Sequence, residues 1–199
     1  MFTTDSITRC WRRRVKFRPS CAGLLACVIL TLMPAIAQAQ SATIVDAKLE
    51  ATEDGYQLNA DIDLQLTAGM QEAISKGVPL YFIAEFQLTR GRWYWLDQSV
   101  ISATRDRRIS YAPLTDQYRI AVSGISQNVS SFEEVRRALS RIRSWTVAEK
   151  GILRPGEKYE AALRFRLDTS QLPKPFQLNV ITSKEWSLSS EWYRWSVTP

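Results

Sequence analysis

Tyr56-Gln-Leu-Asn-Ala-Asp-Ile-Asp-Leu-Gln-Leu66 is the stretch that decides the fold. Apolar side chains at 56, 58, 60, 62, 64 and 66 alternate with Gln57, Asn59, Asp61, Asp63 and Gln65. Successive side chains of a strand point to opposite faces, so this period of two specifies a strand with one dry face and one wet face. Working outward, Glu53-Asp54-Gly55 is a turn signal, and Ile44–Ala51 before it is the expected hairpin partner. Downstream, Leu80, Phe82, Ala84, Phe86 and Leu88 repeat the alternation. Tyr81 and Ile83 on the opposite face predict a central strand, buried on both sides near its start.

Further strands follow from the same pattern. Trp93–Ala103 is expected to pair with 80–88 across the Arg90-Gly91 turn, and Arg107–Tyr111 with Gln117–Val122 as another hairpin. Tyr159, Ala161, Leu163, Phe165 and Leu167 alternate with charged residues after Pro155-Gly156. Phe176–Thr182 and Glu191–Val197 supply the last two strands. Eight or nine short strands divided by turn signals predict a mostly-β domain, an immunoglobulin-like two-sheet β-sandwich over residues 40–199.

Two segments read as helices. Ser131 with Glu134 is a capping-box pair, and Phe132, Val135, Leu139 and Ile142 recur at three- and four-residue steps, predicting an amphipathic helix over about 131–144. A shorter helix over about 69–76 is expected to end at Gly77, a residue that tolerates left-handed geometry.

The N-terminus reads as a leader. Arg9, Arg12, Arg13, Arg14, Lys16 and Arg18 precede an apolar run from Ala22 to Met33, and Ala37-Gln38-Ala39 is a small-x-small cleavage site. The run is shorter than the roughly 20 residues a bilayer-spanning helix needs. Residues 1–39 are therefore expected to be a signal peptide removed near Ala39 during export to the periplasm. All three cysteines (Cys10, Cys21, Cys27) lie in the leader, as do six of the 26 basic residues and only one acid, Asp5. The remainder carries 20 basic and 19 acidic residues. That near-neutral balance gives no support for nucleic-acid binding, which calls for a basic domain.

The sequence has no histidine. Ser-His-Asp and Cys-His catalysis and conventional zinc sites are thereby excluded, and no glycine-rich phosphate loop is present. Asp61 and Asp63 share a strand face, yet a glycosidase or calcium site needs further acids from other strands, and a solvated face is the plainer reading. Ser75-Lys76 and Ser183-Lys184 are mere neighbours. The expectation is a non-enzymatic protein without a cofactor or metal.

Candidate binding residues fall into two groups. Trp93, Trp95, Trp186, Trp192, Tyr193 and Trp195 concentrate aromatic surface in two short segments, where rings either stack on sugars, anchor an interface or fill the core. Arg136, Arg137, Arg141 and Arg143 give the predicted helix a basic face, which is either merely solvated or docks onto an anionic surface. Arg105, Arg107 and Arg108 form a second basic cluster, read as lying on a loop.

Several longer words are distinctive: Arg137-Ala-Leu-Ser-Arg-Ile-Arg-Ser-Trp145, Leu163-Arg-Phe-Arg-Leu-Asp-Thr-Ser-Gln-Leu-Pro-Lys-Pro-Phe176, and Ser183-Lys-Glu-Trp-Ser-Leu-Ser-Ser-Glu-Trp-Tyr-Arg-Trp195. With Gly77-Val-Pro-Leu-Tyr-Phe82 and Arg92-Trp-Tyr-Trp95, they resemble an exported bacterial family, domain of unknown function 4390, over essentially all of residues 40–199. The family has no established activity, so no site residue carries over. Its members often sit beside the gene of a membrane sensor kinase. The resemblance therefore implies an accessory role with an envelope protein partner such as that kinase. A glycan- or lipid-binding module using the Trp and Tyr side chains is the alternative.

Overall fold

The computed structural model describes residues 42–91, 97–174, 176 and 186–199. The mostly-β, two-sheet sandwich expected from the alternation is what it shows. One antiparallel sheet has three strands, in the order β1 (Ala42–Thr52), β2 (Gly55–Leu64), β7 (Arg141–Ala148). The other has six, in the order β6 (Ile125–Val129), β5 (Gln117–Val122), β4 (Gln98–Ala112), β3 (Leu80–Arg90), β8 (Tyr159–Leu167), β9 (Tyr193–Val197).

The deciding stretch forms β2, and its hairpin with β1 pairs Thr52 with Gly55 and Ile44 with Ile62. Leu58, Ala60, Ile62 and Leu64 are buried, while Asp63 and Gln65 face solvent. On β3, Leu80, Phe82, Ala84, Phe86 and Leu88 are all fully buried, and β4 and β8 flank it on either side. Phe82 stacks on Phe165 of β8, with ring centroids 5.7 Å apart and planes 5° from parallel. Stacked aromatic rings add attraction beyond the area they bury, and this pair ties β3 to β8 in the core.

The short helix is α1 (Ala68–Ser75), capped by the Thr67 hydroxyl accepting from the Met70 amide. It ends as expected at Gly77, with φ +81°, whose N–H donates to Ile74 while Val78 N–H donates to Ala73. That pair of bonds is the Schellman arrangement, and it satisfies two carbonyls the helix would otherwise leave open.

Two expectations are corrected. The second helix, α2, runs only from Phe132 to Leu139; Arg141 onward is strand β7, hydrogen-bonded to β2. Ile142 continued the helical spacing from Leu139, but it is the first inward residue of a strand opposite Ala60. Arg107–Tyr111 is not a separate strand on a loop boundary: it is the second half of the fifteen-residue β4. It does pair with 117–122 as expected, Ile109 opposite Ile120. β6, an uncharged strand without alternation, was not anticipated. Residues 177–182 of the predicted strand 176–182 and the start of the predicted strand at Trp93 lie outside the described residues.

The outer face of the large sheet carries an ion cluster. Glu85 of β3 accepts from Arg164 and Arg166 of β8, each Nε at 2.9 Å, and the Arg164 guanidinium lies 4.6 Å from the Trp192 ring centre. Burial pushes the Glu85 pKa up, but the hydrogen bonds and charges of the two arginines outweigh it and hold the net value below the ordinary 4.5. A carboxylate depressed in the folded state contributes stability above its unfolded pKa and loses it as pH falls through the folded value. Thermal unfolding followed on acidification below pH 4.5 should therefore show a falling midpoint, and Glu85→Gln should flatten that part of the profile.

A candidate anion-binding groove

The six-stranded sheet overhangs the three-stranded one. β1 faces β8 and β9, and β7 faces β4, so β5 and β6 extend beyond the smaller sheet and meet α2 instead. Between them lies an open groove of about 800 Å³. One wall is the inward face of β5 and β6: Ile120, Val122, Ile125 and Val129, with Gln127 among them. The other is basic. Arg105 and Arg107 come from β4, Arg137 from α2, and Arg141 and Arg143 from β7. Among the described residues Glu134 is the one carboxylate lining it, and its oxygen already accepts the Ser130 amide at 3.0 Å.

Arg107 forms the floor. It sits on β4 between Phe82 of β3 and Val122 of β5, facing inward, and is only 4% exposed. Its Nη1 donates to the carbonyls of Ala138 (2.7 Å) and Leu139 (3.0 Å), and Nη2 to that of Arg141 (2.8 Å). The last carbonyls of a helix have no intrahelical partner and carry the negative end of its dipole, so a guanidinium there both pairs them and complements their charge. Its Nε is buried with no hydrogen-bond partner, and no carboxylate pairs with Arg107 among the described residues. Burial, assisted by the charge of Arg105, pushes its pKa down to about 10, so it stays protonated at neutral pH. Arg105 is likewise lowered by burial and reaches the Arg143 carbonyl at 3.4 Å. These two side chains tie the edge strand of the small sheet to the middle of the large one.

A bulge directs Arg143. The β2–β7 register shifts between Leu58 and Ala60, and Ser144 takes φ +48°, with its N–H donating to Asn59 Oδ1 at 2.9 Å. An extra residue bends a strand and re-aims its neighbour. Arg143 accordingly donates to the Ala60 carbonyl at 2.8 Å and forms an ion pair with Asp61.

The two arginine clusters singled out in the sequence thus converge, though not as expected. Arg137 lies on α2, whereas Arg141 and Arg143 belong to β7 and not to a helix. Arg136 points elsewhere, paired with Glu133 at 2.8 Å. Arg108 is on the outer face over Tyr81. Arg137 and Arg141 are exposed and have no ion pair among the described residues. Strand alternation was the signal that could have placed Arg105 and Arg107 together, since residues two apart share a face.

The C-terminal aromatics are mostly packed inward. Trp186 is 6% exposed against Phe176, and Tyr193 and Trp195 share the inner face of β9, partly buried on the core and on each other. Trp192 is half-buried on Arg164. Trp93 and Trp95 lie outside the described residues. Asp61 and Asp63 lie on the outward face of β2, one neutralised by Arg143 and the other exposed. Among the described residues no group of three or more His, Cys, Asp or Glu could hold a metal, and no helix is long and apolar enough to cross a membrane.

A family model described as a domain of unknown function (DUF4390) matches residues 39–196. The chain belongs to this family. The match takes in every strand of both sheets except the last residue of β9, so the groove and the arginines around it are part of the DUF4390 domain. No curated protein and no solved structure matches it.

Proposed function

We propose that this DUF4390 protein is exported to the bacterial periplasm and acts there as a non-catalytic accessory protein, binding an envelope protein partner through the arginine-lined groove. The basic, apolar and small-x-small order of residues 1–39 supports export. One observation carries the binding reading. Arginines from two stretches of sequence, 105–107 and 137–143, are gathered around one groove with an apolar opposite wall, and two of them, Arg137 and Arg141, form no ion pair among the described residues. A near-neutral protein that concentrates positive charge in one concavity steers an anionic partner to that place and discriminates against others. A membrane sensor kinase with an acidic periplasmic segment fits this role. A glycan- or lipid-binding role through the aromatic groups has weaker support, since Trp186, Tyr193 and Trp195 are largely taken up by the core.

The test is capture of envelope proteins by the tagged protein at native abundance, compared with the double variant Arg137→Glu, Arg141→Glu. Both side chains are exposed, so the variant should fold with stability within about 0.5 kcal/mol of the original. Loss of a specific protein from the capture supports the reading; an identical capture from both proteins rejects it.

A further inference from the structure

Resting on that reading, we infer that the partner is held as an extended acidic segment, added as a seventh strand along the free edge of β6. Among the described residues the two sheets have four edge strands, and exposed edges are ordinarily protected against pairing by charges, bulges or proline. β1 has a register shift between Ile44 and Asp46 and carries Lys48. β7 has the Ser144 bulge and its arginines, and Arg105 and Arg107 take up its carbonyls at Arg143 and Arg141. β9 carries Arg194. β6 is Ile125-Ser-Gln-Asn-Val129, with no charge, no proline and a regular register against β5. Four of its five residues are exposed, Ile125 to 79%.

The polarity of the edge follows from the turn. Ser123 and Gly124 both have positive φ, +48° and +86°, the two-residue turn that makes its flanking residues a hydrogen-bonded pair. Val122 with Ile125 and Ile120 with Gln127 therefore exchange bonds within the hairpin, and the N–H and C=O groups of Ser126 and Asn128 point to the open side. A strand laid there would send alternate side chains to the same face as Ile125, Gln127 and Val129, the face that lines the groove. Charge decides what those side chains are. The same groove is lined by Arg137 and Arg141, which form no ion pair among the described residues, and by Arg107, whose buried charge has no carboxylate paired with it among them. Carboxylates at every second position pair with guanidiniums in a matched planar geometry, and strand addition beside an arginine cluster combines two known modes of peptide capture. A second copy of the chain is a poor occupant, because joining two β6 edges would bring two arginine walls together.

The probe is a dye-labelled nonapeptide of alternating Glu and Val, followed by fluorescence anisotropy at low salt, with an alternating Lys and Val peptide as control. The acidic peptide should bind. Arg141→Glu should weaken it at least tenfold, and so should Ser126→Pro, which removes an outward N–H without touching the β5 ladder. N-methylation of alternate amides of the peptide should abolish binding in one phase and spare it in the other, a readout that does not depend on any variant folding. Equal binding of the acidic and basic peptides, indifference to N-methylation in both phases, or a Ser126-dependent dimer in sedimentation each overturns the inference. If the peptide fails while envelope capture still depends on Arg137 and Arg141, strand addition is wrong and the partner reading survives. If both fail, both are wrong.

Discussion

Arg107→Ala should lower the stability of the fold by about 3–5 kcal/mol, a fall of roughly 10 °C in thermal midpoint for a domain of this size. The cost is not that of losing a charge, since a buried cation without a carboxylate is itself unfavourable. It comes from the carbonyls of Ala138, Leu139 and Arg141, which lose their donor where α2 ends and β7 begins. A buried acceptor left unpaired costs about 1–3 kcal/mol; the Leu139 bond is buried and those to Ala138 and Arg141 are part-buried, and the lost packing of the side chain adds to them. Arg107→Lys should recover less than half the loss, because an ammonium cannot reproduce the flat fork that meets all three oxygens. Denaturant unfolding of both variants checks this. A loss under 1 kcal/mol for the alanine variant would mean that water enters and pairs the carbonyls, and that the arginine is there for the groove alone.

Gly55→Ala is the second large effect, about 3 kcal/mol or more. Gly55 opens β2 with φ +135°, and a Cβ there would stand 2.3 Å from the Ala148 carbonyl oxygen and 3.2 Å from Glu149 Cα. Backbone on the neighbouring strand cannot rotate aside as a side chain can, so β2 and β7 must separate at that end. The backbone strain adds to this clash. Gly156 separates the two contributions: it has φ +78° but nothing within 4 Å of its would-be Cβ. Gly156→Ala should therefore cost only about 1 kcal/mol, the left-handed strain without the collision. Equal urea midpoints for the two variants would contradict this account.

Much of the sandwich could be read because its strands obey one rule strongly. β2 and β3 alternate inward and outward along their length, β8 does so except at Ala162, and α1 ends at the Gly77 that marked its boundary. The failures have physical causes. Leu139 and Ile142 are three apart, a spacing that suits a helix, and only the pairing of β7 with β2 decides against it. β6 has no apolar alternation because its inward face opens on the groove and not on a core. Hydrophobic pattern reports what is packed, so a strand that exists to border a cavity leaves little trace. The site suffered for the same reason. Its arginines were conspicuous, but the inward placement of Arg107 contradicts the expectation that charge faces water, and only the carbonyls of α2 and β7 explain it. The aromatic groups left surface and core both open in the sequence, because a ring suits either; of the described ones, Trp186, Tyr193 and Trp195 are largely occupied in closing the C-terminal end of the core.

The mismatch between a layer of six strands and a layer of three has a consequence for how such a chain can change. Where the layers face each other, each position is constrained by neighbours on every side. The β5–β6 hairpin, laddered to β4 and packed on α2 instead of the smaller sheet, is less constrained over much of its length. Relatives could lengthen, shorten or recharge it and so acquire new preferences while the Phe82–Phe165 centre stays as it is. In this architecture the segment freest to vary is the same one that carries the proposed binding edge, and durability resides elsewhere.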